Sequence, residues 1–357
     1  MNARFIYPIF ILVACSTLTY RSKTGVTPAP VISTNLKPTA VFPYKVWKDT
    51  QQNTINAHSG GIVFENGFYY WFGEHKLNFN ESPSLADGGI HCYKSQDLIN
   101  WEDTGILMPV DYDNANSDIA FGCRIQWPKI VYNNATKKYV AIFKLFLKGL
   151  GVTVGYNIVA TADSLKGPYT YHSKFLGGSP LNGAGDFALV KGPNGNLYHF
   201  TVNKEGNRPF VYAKMSSDYL TSATPYARCA GVTDNIESLA ITFYNGVYHL
   251  LASGSSGWNP NPCRDFPITS INGPWINQGN PYVGVNPLSG FGPEKTFGGQ
   301  SAFIIQVQGS DPNRFIAMMD VWRPTQPTTS AYIWLPFKIV NNKLSFQWLD
   351  GWNMNWY

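Results

Sequence analysis

Charge is scarce in this chain and long apolar runs are missing. Charged residues make up 14% of the 357 residues, and no basic run exceeds Lys137-Lys138. A nucleic-acid groove needs a concentrated basic face, so the net charge of +5 does not point to that partner. The one sustained apolar stretch, Phe5 to Ala14, holds about ten residues against the roughly 20 that a spanning helix needs. The five cysteines include no CxxC pair, which argues against a structural zinc site. No segment repeats apolar residues at the 3.6-residue helical period, and this disfavours α/β architectures.

Aromatics are abundant at 15%, and 33 Gly and 24 Pro supply turns, a composition that suits an all-β chain. The first residues read as an address. Arg4, the apolar run and Leu12-Val13-Ala14-Cys15 resemble a bacterial lipoprotein signal with Cys15 as the lipidated residue. A plain cleaved signal peptide with an incidental cysteine is the alternative, and both readings export the protein. The expected location is periplasmic or cell-surface, on a bacterial membrane held through the lipid only. Ser16 to Leu36, rich in Ser, Thr, Lys and Pro, reads as a tether. The division is a signal over 1–15, a tether over 16–40 and one domain over 41–357. Cys92, Cys123, Cys229 and Cys263 fit either up to two disulfides or free buried thiols.

Internal repetition carries the fold. Two β-rich runs joined by a polar turn recur five times: Gly61–Phe64 with Phe68–Phe72, Lys129–Tyr132 with Tyr139–Phe143, Phe187–Val190 with Leu197–Thr201, Leu239–Phe243 with Val247–Ala252, and Ala302–Val307 with Arg314–Met319. Asn66-Gly67 and Asn245-Gly246 are strong hairpin signals. A third run and a weaker fourth follow each pair. Five such units predict a five-bladed β-propeller with four strands per blade.

Innermost strands of a propeller converge on one axis, so chemistry belongs at the starts of the units. Those starts are Asn56-Ala57-His58, Arg124 to Pro128, Ala184-Gly185-Asp186, Asn235-Ile236-Glu237 and Gly298-Gly299-Gln300. Two carboxylates facing one cleft suit glycosidic bond hydrolysis, with Glu237 and Asp186 the natural pair. Trp258, in the loop Ser256-Gly257-Trp258-Asn259-Pro260-Asn261-Pro262, can stack on a sugar ring.

These residues, with Tyr70-Trp71-Phe72-Gly73-Glu74, Ser95-x-Asp97-Leu98-x-x-Trp101, Gly167-Pro168-Tyr169, Trp322-Arg323-Pro324 and Tyr332-Ile333-Trp334-x-Pro336, resemble glycoside hydrolase family 43, and within it the exo-β-1,3-galactanase-like group. The resemblance runs from about residue 44 to 340. It implies Glu237 as general acid, Asp186 as the carboxylate that orients that acid and raises its pKa, and Gln300 as the handler of the nucleophilic water in an inverting reaction on β-galactan or arabinogalactan-like chains. Substrate contacts are expected from His58, Glu74, Gln126, Trp258, Ser255 and Arg323. No metal ligand set and no required cofactor follow from it; a structural cation on the axis stays open. Two departures bear on the sugar: Gln126 stands where the group has Glu, and Lys144 and Leu150 stand where it has polar or aromatic contacts. A galactofuranosidase or arabinofuranosidase of the same family and a non-catalytic glycan-binding lipoprotein are the alternatives.

Overall fold

The computed structural model describes residues 38–77 and 87–357. The signal, Cys15 and nearly all of the tether lie outside the described residues. The remainder is a five-bladed β-propeller, with 49% of residues in strands and 4% in helix.

Blade one contains β1 (His58–Glu65), β2 (Phe68–Lys76), β3 (Asp87–Ser95) and β4 (Glu102–Pro109), and blade two contains β5 (Arg124–Asn133), β6 (Lys138–Phe146), β7 (Tyr156–Ala162) and β8 (Thr170–Phe175). Blade three follows with β9 (Ala184–Lys191), β10 (Leu197–Asn203), β11 (Phe210–Lys214) and the two-residue β12 (Ala227–Arg228). Blades four and five depart from the expected four strands. They hold three each: β13 (Ile236–Tyr244), β14 (Val247–Gly254) and β15 (Cys263–Ile268), then, beyond the short β16 (Tyr282–Val283), β17 (Gln300–Gln306), β18 (Phe315–Val321) and β19 (Ala331–Phe337).

Both departures have a local reason. After β15 the chain carries Pro274, Pro281, Pro287 and Pro293, which cannot donate to a sheet ladder. The short β16 there pairs in parallel with β20 (Phe346–Gln347) instead. On blade five the outer edge is taken by the start of the domain: Lys45 bridges Tyr332, and the Tyr44 N–H donates to the Tyr332 carbonyl at 2.7 Å. Early residues thus close onto the last blade.

The inner strands form a ring. β1 lies against β5 and β17, β5 against β9, β9 against β13, and β13 against β17. Each interface between successive blades buries its own apolar layer, giving five. The layer joining blades five and one is the most aromatic, with Trp71, Trp101, Trp334, Trp352 and Tyr332 buried together. Alternation along each strand lets both faces of a blade be apolar, because both are covered by a neighbour. All four described cysteines are free and buried in these layers, where burial pushes the Cys92, Cys123 and Cys263 thiols up to about 12.

Candidate active site

At one end of the ring a cavity of about 530 Å³ opens, lined from all five blades. Its lining includes Glu74, Gln126, Asp186, Glu237, Trp258 and Gln300, six of the nine catalytic and substrate-contact candidates. They converge because each inner strand carries a register shift against its neighbour at its start. A bulge re-aims a side chain, here toward the axis. In three blades the bulge residue is left-handed: Ser59 at φ 49°, Trp127 at 57° and Ser238 at 61°. Such a backbone costs about 1–3 kcal/mol per residue and persists only where the surroundings hold it.

Carboxylates hold it here. The Ser59 N–H donates to Asp320 Oδ2 at 2.9 Å, the Trp127 N–H to Glu74 Oε1 at 3.0 Å, and the Ser238 N–H to Asp186 Oδ2 at 3.0 Å. In every case the carboxylate comes from the preceding blade of the ring. Asp186 is fixed from its other side as well, its Oδ1 lying 2.5 Å from Lys144 Nζ of blade two. It therefore ties blades two, three and four together. Glu74 is buried and paired with Lys76 Nζ at 2.5 Å, so it anchors the Trp127 bulge at the edge of the cavity.

Glu237 is gripped by the loop that follows β14. Its Oε1 accepts the Ser256 N–H at 2.9 Å and the Gly257 N–H at 2.8 Å, with the Gln300 amide at 3.5 Å. Its Oε2 has the Ser255 hydroxyl at 3.1 Å. Burial first, then the Asp186 charge, raises the Glu237 pKa above its ordinary value, against the opposing pull of those donors. Oε1 is crowded with N–H donors, which leaves Oε2 to carry the proton. Gln300 is also held at both ends: its Oε1 accepts the Trp322 indole N–H at 2.8 Å and its Nε2 donates to the Gly257 carbonyl at 3.2 Å.

Three substrate-contact candidates do not face the cavity. His58 is fully buried, with Nδ1 3.1 Å from Asp320 Oδ1 and its ring stacked on Tyr332 at 5.0 Å. The β1 bulge puts the next residue, Ser59, on the lining instead. Arg323 turns away to donate to the Thr329 carbonyl at 2.9 Å, and its neighbour Trp322 takes the lining position. Ser255 is held between two side chains, its hydroxyl donating to Glu237 Oε2 at the distance given and accepting from Arg208 Nη1. Leu150 is exposed and is not part of this lining, whereas Lys144 is paired with Asp186.

The sequence reading missed Trp322 and a set of cations. Trp322 lies nearly parallel to Trp258, with centroids 6.3 Å apart, and the two form one aromatic wall. Arg124, Lys204 and Arg208 line the cavity too, with Phe146. Lys204 and Arg208 sit in the β10–β11 turn, where no basic run marks them. Among the inner strands the buried Lys129 Nζ donates to the Ser59 and Gly60 carbonyls, each at 2.8 Å, and burial pulls its pKa down to about 7.

A five-bladed ring presenting a buried acid, an adjacent fixed carboxylate and an aromatic wall defines a propeller glycoside hydrolase. Solved structures agree at the level of the whole domain. A GH43 β-1,3-galactosidase solved with galactodeoxynojirimycin is 31% identical over 88% of this chain and 100% of that one, with a TM-score of 0.79. A second GH43 β-1,3-galactosidase is 30% identical over 89% of this chain, at a TM-score of 0.78, and this chain spans 64% of its length. The Phanerochaete chrysosporium exo-β-1,3-galactanase solved with galactose is 28% identical over 88% of this chain and 68% of that one, at a TM-score of 0.74. No family model and no curated protein matches the sequence. The chain belongs to glycoside hydrolase family 43.

Proposed function

We propose that the protein is an exo-acting glycosidase that removes galactose from the ends of β-1,3-galactan chains, with Glu237 as general acid. The observation that carries this reading is the environment of Glu237: a carboxyl inside a sugar-sized cavity, its hold on a proton strengthened by burial and by Asp186, with Oε2 facing only the Ser255 hydroxyl. A general acid works best when its pKa sits near the working pH. Asp186 positions rather than reacts, since both its oxygens are engaged. The likeness to structures described as β-1,3-galactosidases and an exo-β-1,3-galactanase supports the choice of galactan.

Gln300 supplies the remaining polar group at the acid. An inverting reaction places water and acid on opposite faces of the sugar, with the two groups roughly 6.5–9.5 Å apart. In this reading the Gln300 carbonyl oxygen, oriented by the Trp322 indole N–H, is the group that handles the water. Export and lipidation at Cys15 complete the proposal and place the enzyme at the cell envelope, where polymeric galactan is accessible.

The test is product analysis on β-1,3-galactan and short β-1,3-galacto-oligosaccharides. Stepwise release of galactose alone, with the α-anomer first in proton NMR, is the expected result. A ladder of oligosaccharides contradicts exo action, a β-anomer contradicts inversion, and no release from any galactan contradicts the substrate.

A further inference from the structure

The cavity is richer in positive charge than hydrolysis of a neutral sugar requires. Four cations line it, Arg124, Lys144, Lys204 and Arg208, beside the carboxylates Glu74, Asp186 and Glu237. Two of those carboxylates are already matched, Glu74 to Lys76 and Asp186 to Lys144, and Glu237 is the acid. Arg124 feels the charges of Asp87 and Glu74, and Lys204 and Arg208 are left over.

Neither of them forms an ion pair with a carboxylate among the described residues. Lys204 Nζ donates to the Val152 carbonyl and lies 4.6 Å from the Phe146 ring centroid. Arg208 Nη1 donates to the Ser255 hydroxyl at 2.6 Å. Glu205, between them in sequence, accepts the Leu181 and Asn182 N–H groups at 2.8 and 3.2 Å. Burial, then repulsion from Lys144 and Arg208, pulls Lys204 down to about 8. Asp186 is the one carboxylate that opposes this, and cations crowded in excess of their counter-charge are stabilised by an incoming anion. The Arg208–Ser255–Glu237 chain places this charge one hydroxyl away from the acid, within reach of a substituent on the sugar held there.

We propose that the pocket takes galactan residues bearing an anionic substituent, a sulfate ester or a uronate carboxylate, bound by Lys204 and Arg208. This rests on the pocket being a glycan site, as in the preceding subsection. Arg pairs bidentately with either anion, and Lys adds a point charge on its other side. An arabinose-decorated or plain neutral chain leaves both cations unused.

Calorimetric binding of galactose, galactose 4-sulfate, galactose 6-sulfate and galacturonate to the wild-type protein, at one ionic strength, tests it. At least one anion binds ~10-fold or more tightly than galactose, about 1.4 kcal/mol, and a sulfate or carboxylate preference names the source. Lys204→Met and Arg208→Gln each reduce the ratio of anion to galactose affinity; Lys204→Arg retains it. Anions that bind no better than galactose, or an advantage that survives both substitutions, overturn the proposal. These ligands are not turned over, so failure here is separate from failure to release sugar from galactan.

Discussion

At the scale of single residues, the account turns on how Asp186 and Lys144 set the proton on Glu237. Asp186 raises the Glu237 pKa by repulsion, so the alkaline limb of kcat/KM reports Glu237 losing its proton. Asp186→Asn removes that repulsion and leaves Lys144 uncompensated, and both changes lower the Glu237 pKa. The limb then moves to lower pH. Lys144→Met exposes the full Asp186 charge and moves the limb to higher pH. A pH–rate profile of the two variants checks the signs; shifts in the same direction would show that Asp186 acts through something other than its charge. Residue-level legibility in the sequence was sharp to within one position. Glu237, Asp186 and Gln300 line the cavity because strand starts converge, whereas His58 and Arg323 lie off the lining and their neighbours Ser59 and Trp322 lie on it. Side chains alternate sides along a strand, and a bulge reverses the phase in a way that no local residue pattern announces.

Elements were the most legible scale. Asn66-Gly67 and Asn245-Gly246 mark the inner hairpins of blades one and four, and all four residues are left-handed, at φ 49°, 83°, 48° and 79°. That is the turn that two consecutive positive-φ residues permit. A Cβ at Gly246 would meet nothing within 4 Å, so Gly246→Ala costs only backbone strain, about 1–2 kcal/mol. Urea titration should show that loss with an unchanged m-value. A loss above about 3 kcal/mol would mean that the turn packs against something the geometry does not include. The outer strands were harder to read. A strand supplied to blade five by Tyr44 and Lys45 depends on distant residues meeting, and the proline-bearing stretch after β15 gives no ladder of its own.

For the whole molecule, five repeats sufficed to read the propeller because each unit buries a layer against the next. The cation cluster was invisible in the sequence, since Arg124, Lys144, Lys204 and Arg208 are separated along the chain and meet only when blades two and three close. Export and anchoring belong to this scale too. Cys15→Ser is expected to move the protein from the membrane fraction to the soluble fraction, and a variant still held at the membrane would remove lipidation at Cys15. The central claim, that Glu237 protonates the leaving oxygen, is tested most directly by comparing Glu237→Gln with wild type on β-1,3-galactobiose and on an aryl β-galactoside. A positioned acid contributes about 10²–10⁴-fold, so turnover of the disaccharide should fall by that much and turnover of the aryl substrate, whose leaving group needs little protonation, by far less. Equal losses on both substrates would contradict the assignment.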